Sequence, residues 1–274
     1  MMLASILLLI APKIDLDVVY AKVGTDELKM DVYYPEKPLR KPTPAVLVIH
    51  GGAWVSGKRQ DVAITAKALA DRGFIAASVS YRLAPKSKWP AMLDDCQTAV
   101  RYLRANSAKM GIDKARLGAI GYSAGGHLSL FLGARETRDP KPAEFGAESS
   151  RVQAVANFFG PTDLTLESDY PKNLDPVFQM VLGKPRAQAA TEIKDASPLY
   201  FVTKSTAPTF IYQGLADPLV NPNQSRILEK KFKEVGVVYS ATYLEGVGHD
   251  VPVSNKAAVD AHQKAVEWLV THLK

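Results

Sequence analysis

Six short apolar runs, five of them followed by a segment of helical periodicity, constrain this 274-residue chain more than any other feature. Residues 45–49 (AVLVI) form the clearest run, and residues 74–79, 117–120, 155–159 and 209–212 repeat it. Residues 240–244 are a less apolar last member. Runs this short, apolar on both faces, are those of strands covered on both sides of a parallel sheet. Helical patterns occupy residues 61–72, 91–108, Ala124–Ala134, Asn223–Val235 and 255–273. Leu93, Cys96, Val100 and Leu103 share one stripe, as do Ala258, Ala261, Ala265, Trp268 and Leu269. Two further strands, residues 17–23 and 28–34, read as a hairpin across the turn Gly24-Thr25-Asp26-Glu27. An α/β fold is expected, with an eight-stranded, mostly parallel sheet flanked by helices. The longest interval without a strand, residues 161–206, holds only short helical pieces such as Asp175–Leu182. In open α/β sheets the loops at the strand C-terminal ends build the site, so this interval is expected to border it as a minimal cap.

With 47% apolar and 23% charged residues and no linker, residues 17–274 read as one soluble domain. Residues 1–16 read as a separate apolar segment. Met1 to Pro12 carry no charge, are too few for the ~20 residues a bilayer span needs, and lack a preceding basic stretch. No stable membrane insertion is expected. The segment is either a leader remnant or an arm packed on the body, which corresponds to an exported or a cytoplasmic protein. The single cysteine, Cys96, excludes an internal disulfide and a cysteine zinc cluster, and its place on a helical stripe reads as a core thiol. The formal charge of +6 is scattered, with Lys37, Arg40 and Lys41 the densest cluster. That pattern is a solvated surface, and no nucleic-acid partner is expected. No oligomeric state is specified.

Gly121-Tyr122-Ser123-Ala124-Gly125 carries the strongest chemical signal. It matches the G-x-S-x-G nucleophile elbow and lies between a strand and a helix, where such a turn must lie. The turn is tight enough that side chains at the two glycine positions would collide with neighbouring backbone, and it holds the serine strained with its hydroxyl exposed. A serine hydroxyl needs a base to take its proton. Of the five histidines, His50 and His127 precede or adjoin the elbow, and His262 and His272 lie in the last helix. His249 sits in a loop between the last strand and that helix, and is the expected base. The acid that orients it is expected at Asp217, in the loop after the strand at 209–212. Asp163, one strand earlier, is a rival whose alternative role is capping a turn. Asp250 is a weaker one, because adjacent loop residues align poorly.

The oxyanion of a tetrahedral intermediate requires fixed N–H donors. One is expected from Ala124, and the others from Gly52 and Ala53 in the loop His50-Gly51-Gly52-Ala53-Trp54 that follows residues 45–49. His50 is expected to hold this loop. Gly52 to Lys58 also match G-x-x-x-x-G-K, but Arg59 stands where a P-loop needs Ser or Thr, and no H-E-x-x-H occurs. Neither a metal nor a cofactor is expected. Arg82, after the strand at 74–79, and Asp95, early in the next helix, are placed to form an ion pair.

The runs His50 to Trp54, Tyr81-Arg82-Leu83-Ala84-Pro85, Trp89-Pro90-Ala91, Asp95 and Gly121 to His127 resemble, in order and spacing, the carboxylesterases related to hormone-sensitive lipase. The similarity is greatest to their short branch of feruloyl- and acetyl-xylan-esterase-like proteins; kynurenine formamidases are relatives. It extends from about Val18 to the C-terminus. It implies an α/β-hydrolase fold, a catalytic triad of Ser123, Asp217 and His249, and oxyanion amides at Gly52, Ala53 and Ala124. Two positions depart from the pattern. Ala53 replaces a third glycine, where only an amide is required, and the hairpin begins near Asp17, leaving little room for the N-terminal cap of larger relatives.

The expected activity is that of a serine carboxylesterase acting on short-chain esters, with a small-molecule or carbohydrate ester as substrate. Aryl formamidase or peptidase activity is the alternative on the same fold. Trp54, Tyr122, Phe159 and Leu219 flank the site as substrate-lining candidates, each equally explicable as ordinary packing.

Overall fold

The computed structural model describes residues 13–136 and 145–274. Most of the apolar segment expected at residues 1–16 lies outside the described residues. Eight strands form one sheet: β1 (Ile14–Val23), β2 (Asp26–Tyr33), β3 (Thr43–Ile49), β4 (Ile75–Val79), β5 (Ile112–Tyr122), β6 (Ala154–Phe158), β7 (Thr209–Gly214) and β8 (Tyr239–Leu244). Their spatial order is β1-β2-β4-β3-β5-β6-β7-β8. The β1–β2 and β2–β4 pairs are antiparallel and every other pair is parallel. The hairpin turn is tighter than the sequence pattern predicts, because Val23 pairs with Asp26 and leaves only Gly24 and Thr25 in the turn.

The helices are α1 (Ala63–Asp71), α2 (Ala91–Ala105), α3 (Ser107–Met110), α4 (Ala124–Ala134), α5 (Asp175–Leu182), α6 (Ala190–Asp195), α7 (Asn223–Val235) and α8 (Lys256–Leu273). The single helix expected at 91–108 is two. At Asn106 the side-chain amide and the backbone N–H both turn back to the Tyr102 carbonyl, and the side chain competes with helix continuation. Among the described residues no helix is long and apolar enough to cross a membrane.

Alternation along the strands divides the core. Ala45, Leu47 and Ile49 of β3 face one side, with Leu93, Cys96, Val100, Phe131 and Phe232 of α2, α4 and α7. Val46 and Val48 face the other, with Leu69 of α1 and the alanine stripe of α8. From β4, at one side of β3, the chain crosses to β5 at the other. The loops after β3 and β5 therefore leave the sheet side by side, at the switch point where α/β sheets build their sites.

The interval between β6 and β7 carries α5 and α6 and is fastened near its C-terminal end. Asp195 accepts from Trp89 Nε1 at 2.8 Å and from Arg135 Nη1 at 3.0 Å. The expected pair of Arg82 and Asp95 is present as a fork, with Nη2 2.6 Å and Nε 2.9 Å from Asp95 Oδ1. Burial pushes the Asp95 carboxyl up, and the Arg82 bonds oppose that shift.

Candidate active site

Ser123 occupies the turn between β5 and α4 with φ 54° and ψ −119°, a region that L side chains rarely adopt. Two backbone bonds hold it there: its N–H donates to the Phe158 carbonyl and its carbonyl accepts from the His127 N–H, each at 2.9 Å. Both flanking glycines are required by contact. A Cβ on Gly121 would collide with the Gly125 carbonyl, and one on Gly125 with the carbonyls of Ile49 and His50. Helix α4 thus sits directly on the end of β3.

The loop after β3 lies against this elbow: a Cβ built on Gly51 would be 3.0 Å from the Tyr122 carbonyl oxygen and 3.4 Å from Ser123 Cβ. Gly52, Ala53 and Trp54 follow at φ 104°, 50° and 63°, three successive left-handed residues of which two carry side chains. Among the described residues, the Gly52 and Ala53 amides donate to no protein acceptor. Ala124 is the first residue of α4, where the N–H has no partner within the helix.

Several contacts hold the loop in this conformation. The Gly52 carbonyl accepts from the Val55 and Ser56 N–H groups at 3.0 Å, and the Trp54 carbonyl from Ala84 at 2.9 Å. His50 is 1% exposed, stacks on Tyr81 with centroids 4.3 Å apart, and places Nδ1 2.7 Å from the Gly51 carbonyl. Burial depresses its pKa.

His249 and Asp217 meet directly, with Nδ1 2.7 Å from Oδ2. Asp217 Oδ2 also accepts from Gln213 Nε2 at 3.0 Å, and Oδ1 accepts from the Leu219 and Val220 N–H groups at 2.8 and 2.9 Å. A carboxylate only accepts, so the His249 proton facing it sits on Nδ1 and leaves Nε2 as an acceptor. The His249 ring lies against Phe159, with centroids 4.4 Å apart, and Phe159 follows the Phe158 that binds the Ser123 N–H.

The rival carboxylates are engaged elsewhere. Asp163 Oδ1 accepts from the Thr165 N–H at 2.9 Å and its hydroxyl at 2.6 Å, closing a turn. Asp250 Oδ1 accepts from the Val251 N–H at 2.6 Å.

Two networks have no clear sequence signature. Trp54 is 4% exposed, and its Nε1 donates to His127 Nδ1 at 3.3 Å. An indole is donor only, so His127 Nε2 carries the proton and donates to the Ala196 carbonyl at 2.8 Å. Burial pulls the His127 pKa down to about 4, against the smaller opposing effect of the Ala196 bond. Trp54 therefore turns into the core beneath α5, whereas Leu219 is 37% exposed. The second network joins Tyr122, whose hydroxyl lies 2.9 Å from Thr65 Oγ1 and 2.7 Å from His262 Nε2. In the sequence His127 and His262 look like any histidine on a packed helix.

The sequence pattern of the BD-FAE family matches residues 30–232. The chain belongs to the BD-FAE family. Among relatives, this BD-FAE chain is 32% identical to esterase LipC of Mycobacterium tuberculosis over 80% of its length and 56% of LipC. It is 31% identical to the probable carboxylic ester hydrolase LipM of the same organism, over 89% of its length and 58% of LipM. It thus spans a little over half the length of these curated relatives.

The solved structures similar to it share its α/β-hydrolase fold. A truncated carbohydrate esterase from gut microbiota superposes with a TM-score of 0.78 at 27% identity, covering 94% of this chain and 96% of that one. The thermophilic esterase Est2 of Thermogutta terrifontis, with propionate bound, gives 0.79 at 26% identity over 95% and 94%. Est2 phosphorylated by paraoxon gives 0.75 at 25% identity over 95% and 94%.

Proposed function

We propose that this chain is a serine carboxylesterase that hydrolyses short-chain carboxylic esters through an acyl-enzyme on Ser123, with His249 as the base and Asp217 as its orienting acid. The observation that carries this reading is the 2.7 Å Asp217–His249 bond, formed by the loops after β7 and β8 at the sheet edge that presents Ser123. Ser123 Oγ attacks the ester carbonyl and passes its proton to His249 Nε2. The carbonyl oxygen, becoming an oxyanion, is received by the amides of Gly52, Ala53 and Ala124. The bond to the alcohol then breaks, and His249 returns the proton to the departing oxygen. Water repeats the sequence on the acyl-enzyme and frees the acid.

The relatives named esterases support the reaction class, and the paraoxon adduct of Est2 supports a nucleophile of this kind. Propionate in Est2 and the small size of the α5–α6 insertion support short acyl groups, because apolar wall is needed to gain ~0.8 kcal/mol from each buried CH₂. Paraoxon should label Ser123 stoichiometrically, and a p-nitrophenyl ester series should peak at about two to six acyl carbons. Preference for acyl chains of about twelve carbons would overturn the short-chain assignment. Labelling elsewhere than Ser123 would overturn the mechanism.

A further inference from the structure

A cleft of about 580 Å³ runs between α1 and α8, on the opposite face of the sheet from Trp54 and α5. Its outer walls are aliphatic: Ile64 and Ala68 of α1, Val259 of α8, and Val251 and Val253 of the loop between β8 and α8. Ile64 and Val253 are 87% and 91% exposed, so the folded chain gives these large apolar side chains almost no cover of its own.

The inner end of the cleft is formed by Gly51, Tyr122, Phe159 and Asp250. Each borders the site. Gly51 packs on Ser123, Tyr122 precedes it, the Phe159 ring lies on His249, and Asp250 follows His249. Apart from Gln263, the polar side chains of the lining are already engaged. Thr65, Tyr122 and His262 bond to one another, and burial holds the Tyr122 phenol above and the His262 imidazole below their ordinary ranges, which keeps both neutral. The carboxylates of Asp61 and Asp250 accept from the Lys58 and Val251 N–H groups. The cleft therefore presents apolar surface leading to the reacting groups, and its lining offers no cation to neutralise an anionic ligand.

We propose that this cleft receives the alcohol portion of the ester, and that the portion it takes is apolar, a branched or cyclic alkyl or an aryl group. The assignment rests on the serine-esterase reading above and follows from the direction of the reaction. The carbonyl oxygen is held by the amides after β3, while the leaving oxygen must approach His249 to take up its proton. The group on that oxygen is thus delivered to the His249 side of Ser123, where Asp250, Val251 and Val253 continue into the cleft wall.

Two ester series separate the two sides. Acetates of methanol, butanol and cyclohexanol vary the alcohol; methyl esters of acetic, butyric and hexanoic acids vary the acyl group. In the unmodified chain kcat/KM should rise from methyl to cyclohexyl acetate. Ile64→Asp charges the mouth, and Ala68→Trp fills the cleft from a half-buried helix position. Each should lower the cyclohexyl-to-methyl ratio by about tenfold or more, and change the hexanoate-to-acetate ratio by less than about twofold. Paraoxon titration counts the active sites in each variant and removes any folding loss from the comparison. A fall in the acyl ratio instead, or unchanged alcohol ratios in variants that titrate fully, overturns the cleft assignment alone. An unmodified chain that neither titrates nor hydrolyses any ester overturns the esterase reading and the cleft with it.

Discussion

Acidification should loosen the loop after β3 through one buried histidine. Neutral His127 is fully satisfied, accepting from Trp54 on Nδ1 and donating from Nε2 to Ala196. A second proton would set Nδ1–H against the indole N–H and leave a charge in a fully buried site, which is why the pKa falls to about 4. In the unfolded chain an imidazole titrates near ~6.5. Between these values the unfolded state binds the proton and the folded state does not, so stability is lost as pH falls from ~6.5 toward 4. At ~1.4 kcal/mol per pH unit, that window corresponds to roughly 3 kcal/mol. Urea unfolding at a series of pH values from 7.5 to 4, in the protein and in His127→Gln, isolates the effect. The variant should be less stable at neutral pH, where it loses two bonds worth about 1 kcal/mol each plus packing, and the gap should narrow steadily on acidification. A gap that stays constant over that range would refute the reasoning. The same variant should lose kcat more than it raises KM, by an order of 10²-fold, because Trp54 is the last of three left-handed residues that aim the Gly52 and Ala53 amides.

Ser123→Ala should lower kcat by roughly 10⁴–10⁶ with an unchanged melting curve, and near-normal activity would refute its role as nucleophile. Asp217→Asn should preserve the fold and lower kcat by about 10⁴, since an amide in place of the carboxylate selects the wrong His249 tautomer. Gly125→Ala should cost about 1–3 kcal/mol, as its methyl pushes α4 off the β3 carbonyls; an unchanged urea midpoint would show that the elbow is not held by that contact. Asp95→Ala should lose about 3–5 kcal/mol by stranding Arg82, while kcat per folded molecule changes little; a stable but inactive variant would place Asp95 in the chemistry.

Strand and helix identities were legible because their signals are local. An apolar run bounded by turn residues reports burial on both faces of a strand wherever that strand later pairs, as residues 45–49 do within β3. The elbow was legible for the same reason, since its two glycines answer to backbone only a few residues or one strand away. Element ends were less so: β5 runs from Ile112 to Tyr122 rather than over 117–120, because its outer residues pair along a neighbour that the local pattern does not reveal.

What the sequence by itself determined is the list of participants: eight strands, a strained serine, a loop of glycines, a histidine after the last strand and three candidate carboxylates, with Asp217 favoured. Which carboxylate meets that histidine was decided by the tertiary structure. Asp217 and His249 leave neighbouring strands, β7 and β8, whereas Asp163 leaves β6, one strand further away, and adjacent strands stand about 4.8 Å apart. Asp163 instead closes its own turn, accepting from the N–H and hydroxyl of Thr165. The Trp54–His127 and Tyr122–His262 bonds join residues 73 and 140 positions apart. Such bonds exist only once the order of strands has brought their helices to the same edge, because a side chain's partner across a sheet depends on strand order and register, which no window of sequence contains.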